Sequence, residues 1–182
     1  MTPNNIKEFR AGLSDALKAH GLSRRKLRPQ VQPGWEVSSE GAIKPQYFPH
    51  EIRHPWGFNL TGVIAIELLE LRSWLDANYP AADQGIFRST FVGWHLGNDR
   101  DFDFLAATGE DVPIGEWVER VKVRLERIPT SLDELVQAYH LQSETIRGLA
   151  SVSNQPAWDF LLDWLPKRHT SMPIPWPPGL VR

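Results

Sequence analysis

Gly57-Phe58-Asn59-Leu60-Thr61-Gly62-Val63-Ile64-Ala65-Ile66-Glu67-Leu68 is the stretch on which the fold turns. Phe58, Leu60, Ile64, Ile66 and Leu68 recur with period two, and Asn59, Thr61 and Glu67 fall on the opposite side, the pattern of a strand that buries one face. Downstream, Leu71, Trp74 and Leu75 predict a helix over Leu69–Tyr79, closed by Pro80. Upstream, Trp35–Ser38 and Ala42–Phe48 alternate loosely around Gly41, which supplies turn chemistry. Pro45 confines the second of these strands to a sheet edge or a bulge. Gly85–Leu96 reads as a further strand built on Phe87, Thr90, Phe91, Val92 and Trp94, with Gly97-Asn98 as its exit turn.

Helices flank this meander. Pro3 suits a first helical position, Ile6, Phe9, Leu13, Ala16 and Leu17 follow at helical spacing, and Gly21 stops them. The basic run Ser23–Arg28 then reads as a solvated turn, with an anion or nucleic-acid contact as the functional alternative. Ile114, Trp117, Val118, Val121, Leu125 and Ile128 form an apolar stripe through Pro113–Ile128. Ser131 with Glu134 fits a capping box for a helix carrying Leu132, Leu135, Val136 and Tyr139. Pro156 opens a last helix of Trp158, Leu161, Leu162 and Leu165, ended by Pro166. The predicted class is α+β: an N-terminal helix, an antiparallel strand meander, and C-terminal helices packed on one sheet face. Residues 1–166 form the expected single domain. Residues 167–182 form a proline-rich arm whose Trp176 either docks on a partner or folds back onto the domain.

Bulk properties narrow the function classes. The chain has 182 residues, a formal net charge of -2 and no cysteine. That charge gives no long-range pull toward nucleic acid or an anionic membrane. Disulfides and thiolate metal sites are excluded. No apolar run approaches a membrane span, and the N-terminus lacks the pattern of a secretory signal, so the expected location is cytoplasmic. The eight tryptophans show no fixed spacing, which argues for core residues over a repeat array.

Two constellations name chemistry. His50-Glu51-Ile52-Arg53-His54 spells H-E-x-x-H, which on a helix places two zinc ligands and a general base on one face, with Glu67 or Glu70 as a third ligand. Pro49 and Pro55 enclose it, and Pro55 biases His54 away from the α region. An extended segment would separate the histidines by about 13 Å, too far for one ion. Asp99, Asp101, Asp103 and Glu110 match positions 1, 3, 5 and 12 of a calcium loop, but Phe104 stands where that loop needs glycine. His95 is a candidate pocket residue beside Asp99 and Asp101. No serine-nucleophile elbow, phosphate loop or dinucleotide turn occurs.

The helix ending in Gly21-Leu22-Ser23-Arg24-Arg25, the Phe58-Asn59-Leu60 strand, the Gly93-Trp94-His95-Leu96 strand and the Leu132-Asp133-Glu134-Leu135 helix together resemble a group of bacterial α+β domains of unknown function. The resemblance spans residues 6–141 in layout. Some such domains belong to toxin-immunity or other conflict systems, which implies a protein-binding role and transfers no catalytic residue. The resulting expectation is a non-catalytic domain that binds another protein, without a cofactor. Glu51 and Arg53, on a stiff solvent-facing loop, and Trp176 are its candidate contacts. The alternative is a zinc-dependent hydrolase with His50 and His54 as ligands and Glu51 as base.

Overall fold

The computed structural model describes residues 3–25, 33–38, 41–54, 57–79, 91–96, 104–107, 114–141 and 149–170. In chain order the elements are α1 (Pro3–Ala19), β1 (Ser23–Arg25), β2 (Gly34–Glu36), β3 (Ile43–His54), β4 (Gly57–Leu68), α2 (Leu69–Asn78), β5 (Phe91–Leu96), β6 (Phe104–Ala107), α3 (Ile114–Glu126), α4 (Leu132–Leu141), β7 (Leu149–Ser153) and α5 (Gln155–Trp164). The class is α+β, with helices packed against an antiparallel sheet. Its strand order is β1-β2-β3-β4-β5-β7, and β6 pairs with β4.

The hairpin of β3 and β4 is the spine. Its register runs without a break from Ile43 opposite Leu68 to His54 opposite Gly57. On its other side β4 is shared end to end, with β6 along Gly57–Leu60 and β5 along Val63–Glu67. Partners across an antiparallel ladder point to the same face. Tyr47, Leu60, Ile64, Ile66 and Leu68, all 0% exposed, therefore define the helix-covered face. Glu36, Gln46, Ala65 and Glu67 point to the other.

Aromatic contacts bind the helices to that covered face. Trp117 of α3 meets Tyr47 edge-on at 5.1 Å between ring centroids, and Trp158 of α5 packs on Trp94 at 4.9 Å. Tyr139 of α4 stacks on Trp158 at 4.4 Å, and the Trp158 indole donates to the Gly93 carbonyl. Glycine is required at two close approaches: a methyl on Gly62 would strike the Tyr47 ring, and one on Gly93 the Ile64 carbonyl oxygen. The six described tryptophans are buried or half-buried, as their scatter in the sequence predicts. The Ser131 hydroxyl accepts from the Glu134 amide at 3.3 Å, which is the expected cap of α4.

Several expectations are corrected. Ser23–Arg25 is a strand, because pairing with Gly34–Glu36 supplies the hydrogen bonds that three polar residues cannot signal by pattern. β3 is an interior strand, not an edge, and it continues through His54. Its contact with β2 is confined to Gln46 and Tyr47, between Pro45 and Pro49, so the prolines sit where the β2 ladder has ended. The Gly85–Leu96 strand is described from Phe91 onward, and residues 85–90 lie outside the described set. β6 and β7 have no counterpart in the sequence reading, since strands of four and five residues carry too little periodicity. Residues 171–182, including Trp176, also lie outside the described set.

Candidate binding cleft

α1 ends in a motif that aims the chain under its own helix. Gly21, at a φ of +83°, sends its amide to the Lys18 carbonyl, and Leu22 sends its amide to Leu17. This is the paired hydrogen-bond pattern of a glycine C-cap, with buried Leu22 as its apolar lock. The chain reverses into β1, and α1 lies over β1, β2 and β3. Phe9, Leu13 and Leu17 anchor the helix to the core. Between helix and strands opens a cleft of about 740 Å3.

Its walls mix apolar and cationic groups. Leu13 and Leu17 come from α1, Pro33 and Trp35 from the β2 region, and Pro49 from β3. Charge is supplied by Arg10, Arg24 and Glu51. Arg10 grips Glu51 as a two-pronged fork, Nε to Oε1 at 2.7 Å and Nη2 to Oε2 at 2.8 Å. Glu51 retains 13% side-chain exposure against 55% for Arg10, so the carboxylate is sunk and the guanidinium faces outward. The hydrogen bond and the charge of Glu51 hold Arg10 above its ordinary pKa. Arg24 is exposed and has no ion-pair partner among the described residues. Tyr47 lies beneath, its hydroxyl donating to the Thr61 carbonyl at 3.0 Å. Burial, helped by the Glu51 charge, pushes the Tyr47 pKa well above its usual value.

The sequence singled out this region for a different reason. His50–His54 is the end of β3, not a helix, so the two histidines stand about 13 Å apart along the strand and do not form a one-turn ligand pair. The expected stiff loop is also a strand, and Glu51 turns into the cleft, not out to solvent. Arg53 pairs along its backbone with Phe58. Glu67 is engaged by Arg25 and Arg72, and Glu70 by Arg168 at 3.3 Å. Among the described residues no group of three or more His, Asp and Glu is placed to hold a metal ion. Asp99, Asp101, Asp103 and Glu110 of the calcium-loop pattern lie outside the described set, and Phe104–Ala107 between them is strand β6. His95 is exposed on the sheet face away from the helices, and its proposed partners are outside the described set.

Arg10 and Trp35 are cleft residues that the sequence does not mark as functional. Arg10 looks like any solvated helix position, and its partner is 41 residues away. Arg24 does carry a signal, since it belongs to the basic run whose functional alternative is an anion or nucleic-acid contact. No family model, curated protein or solved structure matches this chain. No helix among the described residues is long and apolar enough to cross a membrane.

Proposed function

We propose that this protein is a non-catalytic binding domain whose partner is another protein, and that it serves as an immunity or accessory protein in a bacterial conflict system. The observation that carries the reading is the make-up of the α1–β3 cleft. Two arginines and two prolines converge on one concave surface over the buried Trp35, and arginine is among the side chains that dominate protein-interface energetics. The state of Glu51 supports a binding role over a catalytic one: both its oxygens are held by Arg10, which leaves it poorly placed to take a proton from a reactant. The conflict-system role rests on the layout resemblance.

The test is co-purification from the native host with the full chain as bait. A stoichiometric protein partner is expected, together with protection of the α1–β3 surface in hydrogen exchange on binding. Failure to recover any stoichiometric partner sinks the reading. So does turnover of peptide, ester or phosphate substrates that is lost in His50→Ala or Glu51→Gln.

A further inference from the structure

We infer that the cleft recognises an acidic peptide segment, a carboxylate side chain set beside an aliphatic residue, with Arg24 as the receiving cation and Glu51 as a built-in competitor for Arg10. The inference rests on the protein-binding reading and names the chemistry of the bound segment. Charge complementarity carries it. Two guanidinium groups face one carboxylate, and the one without an ion-pair partner among the described residues, Arg24, is exposed at the cleft. A guanidinium presents a planar fork that matches a carboxylate, so an anionic group is its fitting occupant.

The remaining lining excludes a bare anion as the whole ligand. Ala11, Pro33 and Pro49 give the cleft an accessible apolar rim above the buried Leu13, Leu17 and Trp35, surface that an inorganic phosphate would leave wet. The formal charge of -2 on the chain works against a polyanion such as RNA. A peptide carrying both an acid and an aliphatic residue fits both parts. Glu51 then has a defined role. Its fork on Arg10 has the geometry an incoming carboxylate would take, so the resting cleft already holds an internal copy of its ligand. Ligand reaches Arg24 first, and Arg10 becomes available only as Glu51 lets go.

The probe is an array of eight-residue peptides in matched pairs that differ only by Glu or Gln beside a Leu or Pro, screened against the full chain and followed by titration of the best pair. Glu-bearing members are expected to bind and their Gln counterparts to lose about tenfold or more, the worth of a charge-assisted contact. Arg24→Gln is expected to lose as much, and Arg24→Lys to recover part of it. Glu51→Gln is expected to tighten binding roughly threefold, because it frees Arg10 and removes a like charge. Equal binding of Glu and Gln peptides overturns the inference, as does indifference to Arg24→Gln in a variant with wild-type thermal unfolding. Weaker binding in Glu51→Gln overturns the competitor role. A single-stranded RNA that binds more tightly than any peptide would replace the peptide with a nucleic acid. If a partner from the host binds the Arg24→Gln protein with unchanged Kd, the carboxylate inference falls while the protein-binding reading stands.

Discussion

Glu51 and Glu67 lie on the two strands of one hairpin, on opposite faces of the sheet, and each is held by arginine. Glu67 has 0% side-chain exposure and three partners: Arg25 at 2.7 Å, Arg72 at 3.0 Å and Gln46 at 3.4 Å. Its partners come from β1, α2 and β3, so the cluster ties three elements to β4. Glu51 has one partner, an arginine that is 55% exposed. The same chemistry thus serves two ends. With the carboxylate dry and held from several elements, an ion pair is a structural fastening that cannot be opened without leaving a buried charge. With one partner in solvent, the pair is cheap to open and its members stay available to a ligand.

Removal of Glu67 separates the two carboxylates most strongly. Glu67→Ala leaves Arg25 with Glu36 and Arg72 with Asp76 beside a vacated buried site and is expected to cost about 3 kcal/mol, the lower end for a broken buried pair because both arginines are partly exposed and keep a second carboxylate. Urea unfolding measures it, and a loss under about 1 kcal/mol would place Glu67 in the same class as surface pairs. Gln46 Oε1, buried beside the cluster without a hydrogen-bond partner among the described residues, already leaves this site incompletely satisfied. A methionine at Glu67, filling the volume without a charge, is therefore expected to be better tolerated than alanine.

On the cleft side, Tyr47 is the buried group that senses the Glu51 charge. Its folded pKa is raised above the unfolded value of about 10, so the folded state holds the phenol proton more tightly. Its contribution to stability is fully present below pH ~10 and is lost as pH climbs from there toward the folded value. Tyr47→Phe is expected to cost about 1 kcal/mol at neutral pH through the lost bond to Thr61, and to flatten part of the alkaline fall. Thermal unfolding of both proteins on either side of pH ~10 checks this. Identical alkaline slopes would mean that Tyr47 ionises as a solvent-exposed phenol does.

Legibility in the sequence follows burial pattern and length. The face of β4 and the stripes of α3 and α5 were readable, because an apolar set repeated over ten residues or more leaves few alternatives. β1 was not readable, for Ser23-Arg24-Arg25 has no apolar residue and becomes a strand only through β2. Alternation places Glu67 on the face opposite the core, as observed, but equates that face with solvent. The partner that buries it, Arg25, enters from a strand the pattern could not show. The cleft was half legible. The H-E-x-x-H match drew attention to His50–His54, and the prolines argued correctly against a helix, yet they suggested a loop where β4 imposes a strand. Arg10 meets Glu51 only in three dimensions.

The coupling between Arg10 and Glu51 is expected to be weaker than the effect at either Glu67 or Tyr47. An exposed fork gains some Coulomb energy but must hold a long side chain in one geometry and is screened by salt. Arg10→Ala, Glu51→Gln and the double variant form a cycle whose interaction term isolates the pair from whatever else each residue touches. We expect a coupling below about 1 kcal/mol, shrinking further as salt is raised. Geometry is the one reason it could exceed that: the fork is bidentate and Glu51 is sunk to 13% exposure, so its carboxylate has lost part of its water. A salt-insensitive coupling of about 2 kcal/mol or more would show that desolvation outweighs exposure here. Glu51 would then be a fastening like Glu67, too firmly held to give way to an incoming carboxylate.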